Sequence, residues 1–208
     1  MDDATRLMAD QLSRMRGMTG LYHRLFFSDV TRTTLLVLAL FVAGWTVAEE
    51  AFLLIPVVAL IGAVQTAFDS SYLVFARTYA RALEGELNRQ VGRRVLVAAE
   101  MEHSFLFPLD SKKIVTIPLA GPQSWFSFVT AFYTVVGAAA YIFGLVLGWD
   151  TLSTAPTAMT VGYLASLIGV TVAALAVGWW WFVGGVGERR LADVLDDAFG
   201  PLEGDAHA

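Results

Sequence analysis

The chain has 208 residues, 56% hydrophobic and 16% charged, with a formal net charge of −5 and no cysteine. A soluble domain carries about 25% charged residues, so the composition points to an all-α integral membrane protein forming one four-helix transmembrane domain over residues 1–208. Without cysteine there are no disulfides, thiolate-held zinc or iron–sulfur centres, or thiol nucleophiles, and the lack of a basic stripe with interleaved aromatics argues against nucleic acid.

Residues 1–30 are polar and mixed in charge, with Met8, Leu12 and Met15 at steps of four and three. They lack the charged start, apolar core and small-residue cleavage site of a signal peptide, so the first span is expected to anchor the chain. Four apolar runs, at about 33–48, 51–70, 123–149 and 159–182, approach or exceed the length needed to cross a ~30 Å hydrocarbon core at 1.5 Å per residue.

The second run does not stop where a span would. Over residues 72–91 the apolar groups Tyr72, Ala76, Tyr79, Ala80, Leu83, Leu87 and Val91 recur at helical steps. Arg77, Arg81, Glu84 and Asn88 fall on the opposite, solvated face, with Arg81 and Glu84 spaced for a weak pair. No Gly or Pro separates Gln65 from Glu84, and Gly92 stands where a C-terminal cap belongs. The spacing predicts one helix over 51–91, extended into the cytoplasm. Its stripe Tyr79, Leu83, Leu87 needs a cover: either a cap formed by the rest of the chain or a docking partner.

Further on, "FLFPLDSKKIVTIPL" reads as two short extended pieces around a turn at 110–113, a hairpin over 104–118 in a small cap. After the fourth span, Gly184 and Gly185 loosen the chain. A short amphipathic helix follows, with Leu191, Val194, Leu195 and Ala198 as its stripe, ended by Gly200 and Pro201.

All fourteen Lys and Arg lie in three stretches: Arg6 to Arg32, Arg77 to Lys113, and Arg189 with Arg190. The links holding Glu49, Glu50 and Asp150 have none. Cytoplasmic loops carry the excess of Lys and Arg, so 1–30, 71–122 and 184–208, and with them both termini, are expected in the cytoplasm. Trp45 and Trp149 then fall at the outer interface, and Trp125 with Trp179, Trp180 and Trp181 at the inner one.

The segment "YARALEGELNRQVG" resembles one that leaves the membrane after the second span in a family of bacterial four-span integral membrane proteins. Tyr79, Arg81, Leu83, Glu84, Leu87, Asn88 and Gly92 carry the likeness. Glu100 stands where the family places an acidic residue, while Ala99 replaces the family's tryptophan. The resemblance implies the four-span topology and a bacterial inner (plasma) membrane location. It brings no established activity.

Little points to chemistry. Glu84, Glu86, Glu100, Glu102 and His103 are residue types that bind metals, but their spacing fits no ligand pattern and a solvated surface cluster explains them. No histidine lies in a span, which argues against haem. No catalytic residue, cofactor or metal is assigned. Arg32, Gln65, Asp69, Ser127, Thr130 and Thr134 fall at similar depth near the inner ends of three spans. Either Asp69 pairs with Arg32 while the hydroxyls join helices, or the group lines a polar path. Small residues mark one face of the third span (Gly137, Ala140, Gly144, Gly148) and one face of the fourth (Gly162, Ser166, Gly169, Ala173). These two faces are expected to pack together within the chain, or else to meet another subunit.

The sequence thus suggests a non-catalytic membrane protein, a homo-oligomer or accessory subunit of a larger membrane complex in the lipid bilayer, whose cytoplasmic helix docks a partner or forms a cap. An oligomeric channel or pore for a small ion or solute is the alternative. A membrane enzyme is third, for want of motifs.

Overall fold

The structure is a computed structural model that describes residues 3–106, 113–114, 117–118 and 125–200, the side chains of 103–127 excepted. In chain order it has α1 (Asp3–Thr46), a 3-10 turn (Glu49–Leu53), α2 (Leu54–Val91), α3 (Ala98–Leu106), β1 (Lys113–Ile114), β2 (Ile117–Pro118), α4 (Trp125–Leu147), α5 (Trp149–Thr154), α6 (Thr157–Gly178), a π-helical turn (Trp179–Val183) and α7 (Val186–Phe199). Four helical stretches are long and apolar enough to cross a membrane: Asp3–Thr46, Glu49–Val91, Phe128–Leu147 and Thr157–Phe199. The chain is a multi-pass, membrane-embedded helical protein.

Local chemistry explains the element ends. Pro56 lies in the first turn of α2, where its missing N–H removes no helical bond. Gly92 follows α2 with φ +69°, the left-handed cap that glycine adopts without strain. At 44 residues α1 is much longer than the 33–48 run. It takes in the polar segment before that run, because Gly17 and Gly20 are only mild breakers and no proline interrupts the stretch. The hairpin expected over 104–118 falls mostly outside the described residues; within it, β1 and β2 pair antiparallel, Lys113 opposite Pro118 and Ile114 opposite Ile117.

The chain divides into two compact units drawn from interleaved stretches: Met1–Leu25, Asp69–Phe128 and Trp180–Ala208 in the first, Phe26–Phe68 and Val129–Trp179 in the second. The first unit centres on Leu12 and Met15 of α1 against Ala80, Leu83 and Leu87 of α2, with Met8, Met18, Tyr79, Leu96 and Phe199 packed around them. The stripe on α2 is therefore covered by this chain's own α1, although its ends, Tyr72 and Val91, are exposed. In α7 only Leu195 of the expected stripe is buried; Val194 and Ala198 are exposed.

The second unit centres on Val37, Phe52, Ile55 and Ala140, with Leu40, Phe41, Val58 and Leu147 beside them. Here α2 is the hub. A Cβ on Gly62 would lie 2.4 Å from the Thr33 side chain of α1, and one on Gly144 of α4 would lie 2.8 Å from Ile55 of α2. Such contacts let helix backbones approach closely, which is how membrane helices associate. This corrects the expected pairing of the two small-residue faces. Gly144 and Gly148 turn toward Ile55, Pro56 and Leu53, while Gly162 and Gly169 of α6 have open space where a Cβ would be.

Candidate functional site

In the first unit the polar face of α2, expected to be solvated, carries ionic and hydrogen-bonded contacts, with Arg77 and Glu84 buried and Arg81 and Asn88 half-buried. Arg77 is 6% exposed and its Nε donates to Glu102 of α3 at 3.2 Å. Burial lowers its pKa below the ordinary arginine value, and the nearby Glu102 carboxylate opposes that shift. Glu84, also buried, meets two partners on other elements: its Oε1 accepts from Arg16 of α1, and its Oε2 accepts from the Ala99 amide at 2.9 Å. One carboxylate thus joins α1, α2 and the start of α3.

Asn88 completes the arrangement. Its Oδ1 accepts from the amides of Val95 and Leu96, both at 2.8 Å, and its Nδ2 donates to the Leu96 carbonyl at 2.7 Å. The chain leaves α2 at Gly92, and these three bonds hold it as it folds back over the helix. The polar face is buried because residues 93–106 return onto it. The sequence signal was there: Arg77, Glu84 and Asn88 are spaced by seven and four, a stripe of groups able to hydrogen-bond in several directions. A cavity of about 20 Å³ lies among Arg16, Thr19, Arg77, Arg81, Glu84 and Glu102, room for about one water molecule.

The acidic residues considered as metal ligands have basic partners: Glu84 with Arg16, Glu86 with Arg89, Glu100 with Arg94 and Glu102 with Arg77. The side chain of His103 lies outside the described residues. Tyr79 donates to Gln11 Oε1 at 2.7 Å and its ring sits 6.4 Å from that of Phe199, while Leu83 and Leu87 are core residues.

The six residues placed at one depth divide between the units: Asp69 and Ser127 belong to the first, Arg32, Gln65, Thr130 and Thr134 to the second. Arg32 pairs at 3.5 Å with Asp29, three residues back on its own helix, and its side chain is 77% exposed. A partner one helical turn away costs little to hold in place. Asp69 is buried, as is Thr130. The side chain of Ser127 lies outside the described residues. Thr134 donates to the Thr130 carbonyl at 2.8 Å, a bond within its own helix.

Thr34, Thr46, Thr66 and Thr171 do likewise, each donating to the carbonyl four residues earlier. Such bonds satisfy a hydroxyl in hydrocarbon without any second helix. Among the described residues, three polar links between elements of the second unit come from residues the sequence reading passed over. Tyr163 of α6 donates to the Leu53 carbonyl at 2.7 Å, Tyr141 of α4 lies 3.0 Å from Thr171 of α6, and Thr160 donates to the Leu152 carbonyl at 2.8 Å.

Gln65 has a different setting. It lines a groove of about 750 Å³ between α2 and α6, together with Val57, Leu60, Ile61, Val64, Gly162, Tyr163, Ser166, Leu167 and Val170. No family model matches this chain, and no curated protein or solved structure matches it.

Proposed function

We propose that this protein is a non-catalytic, oligomeric scaffold of the bacterial inner membrane, with both termini in the cytoplasm and the first unit as its cytoplasmic cap. One observation carries the reading. Of the fourteen Lys and Arg, all but Arg32 belong to the first unit, so thirteen lie there and one in the second. The positive-inside rule was read from loops alone; the division into units follows from backbone packing. That two independent features separate the chain at nearly the same places supports a cytoplasmic cap and a lipid-embedded remainder.

The cap reading is favoured over a docking face on α2, because Leu83 and Leu87 are already covered by Leu12 and Met15. It is favoured over a pore by Thr34, Thr66 and Thr134, whose hydroxyls bond carbonyls of their own helices. The resemblance over 79–92 acquires a physical content: Leu83 and Leu87 fill the cap core, Glu84 and Asn88 bind its backbone, and Gly92 turns the chain.

Cysteine labelling tests the orientation, since the chain has no cysteine of its own. In sealed, right-side-out membrane vesicles an impermeant maleimide should label Glu49→Cys and Thr151→Cys, and should reach Ser13→Cys and Asp193→Cys only after permeabilisation. Labelling of Ser13→Cys in sealed vesicles would reverse the topology and remove the cap.

A further inference from the structure

We propose that Arg189 and Arg190, gathered at the Trp180–Trp181 turn where the chain leaves α6, bind the phosphate of a phospholipid headgroup. The proposal rests on the membrane reading above and names a ligand for it; it does not depend on which way the chain faces. The groups involved, from Trp180 to Arg190, all belong to the first unit. The apolar helix α6 passes into the π-helical turn Trp179–Val183, and Gly185 then turns the chain at φ +61°. Gly187, in the first turn of α7, leaves room for the Trp181 indole: a Cβ there would lie 2.7 Å from that ring. This close contact fastens the start of α7 to the turn. Long side chains on a helix lean toward its N-terminus, so both arginines are carried back to the same place. The Arg190 guanidinium carbon sits over the Trp180 ring, 5.8 Å from its centre. A guanidinium nitrogen of Arg189 comes within 3.7 Å of where a Cβ on Gly185 would be.

Both arginines are exposed, and among the described residues neither has an ion-pair or hydrogen-bond partner. Asp193 stands four residues on from Arg189 and three from Arg190, the spacing of a helical pair, yet neither pair forms. Glu188, beside them, has a partner elsewhere. A contact through the ring face steadies a guanidinium and leaves its N–H donors open. The donor set decides the ligand. A guanidinium matches two oxygens of a phosphate with a fork of parallel hydrogen bonds. Two guanidiniums carry more positive charge than one phosphodiester neutralises, which favours a headgroup that is anionic overall. A lipid is favoured over a free phosphate by the indole beside the cations. Trp180 is 49% exposed and directly follows an apolar span, and such rings settle at the headgroup level of a bilayer, where lipid phosphates lie.

The test uses the full chain in dodecyl maltoside micelles doped with phosphatidylglycerol, with retained lipid counted by native mass spectrometry. Arg190→Gln should weaken retention about 10-fold or more, as for the loss of one charge-assisted hydrogen bond. It should leave thermal unfolding without added lipid unchanged, because the side chain is exposed. Arg190→Lys should not restore retention, since an ammonium is a point charge without the fork. Arg6→Gln, at an exposed arginine near the other end of the chain, should retain lipid as the wild type does. Phosphatidylcholine should be held less tightly, and inorganic phosphate should not displace the phosphatidylglycerol. Wild-type retention by Arg190→Gln overturns the proposal. Wild-type retention by Arg190→Lys, or equal loss from Arg6→Gln, overturns it too, because unspecific charge would then suffice. Displacement by inorganic phosphate gives the site to a free anion and overturns the lipid. None of these results bears on orientation, which the maleimide labelling decides separately.

Discussion

The Arg77 guanidinium of α2 is buried while the Glu102 carboxylate that it meets at 3.2 Å is 43% exposed. The pair is therefore lopsided. Glu102 can still draw on water when its partner is lost, but Arg77 has exchanged most of its hydration for contacts inside the first unit.

Loss of the acid should accordingly cost more than loss of the pair. Removing one member of a fully buried pair costs about 3–5 kcal/mol. Water reaches Glu102, so Glu102→Gln should cost about 2 kcal/mol. Combining it with Arg77→Met should recover more than half of that loss, because the two sites are coupled. Thermal unfolding in detergent micelles measures both. A single variant as stable as wild type, or a double variant worse than the sum, would show that the pair does not hold α3.

Asn88 should be sensitive for a different reason. Its side chain makes three hydrogen bonds to the backbone of Val95 and Leu96, each worth about 1 kcal/mol net. Asn88→Ala should cost about 2–3 kcal/mol and make the link at 93–97 a site of limited proteolysis. Val91→Ser, one turn away but exposed, is the matched control and should be silent. Equal cleavage in the two variants would mean that the clamp does not secure this link.

The core of the first unit gives a third expectation. Leu83 is 0% exposed and packs with Leu12 and Met15 of α1. Leu83→Ala should cost about 2–5 kcal/mol, as for other buried leucines. Leu12→Ala should fall in the same range, and the double variant should be less than additive because the two changes share one void. Near-wild-type unfolding of Leu83→Ala would show that α1 does not cover this face.

Much of this was legible in the sequence and some was not. Four spans could be read because a run such as "AFLLIPVVALIGAV" has only one stable home, and hydrocarbon length fixes how long it must be. The stripe through Leu83 and Leu87 could be read because helical period survives any tertiary context. Arg77 and Asn88 were misjudged because a polar residue opposite an apolar stripe looks solvated until something folds onto it. What folds here is a segment whose own pattern is weak, and a return of fourteen residues leaves no periodic trace. Depth along a span can be read from a sequence, but rotation about a helix axis cannot. The small faces of α4 and α6 failed on the same point: each identifies a surface made for close approach, without naming the helix that approaches it.

The attachment of α6 has a consequence for the order in which the bundle is built. The core residues Val37, Phe52, Ile55 and Ala140 all come from chain that is synthesised before α6. Between lipid-bathed helices there is no hydrophobic gain to draw the last one in, and Leu167 is its single buried side chain. Two hydroxyl contacts, Tyr163 with the Leu53 carbonyl and Thr171 with Tyr141 of α4, tie α6 to chain that precedes it, while Thr160 bonds only the adjacent α5. Such a helix is the natural first unit to open and the last to close. Hydrogen exchange in micelles should show α6 losing protection before α2 and α4, and Tyr163→Phe should widen the gap. Uniform protection across all three helices would mean that the bundle closes in a single step.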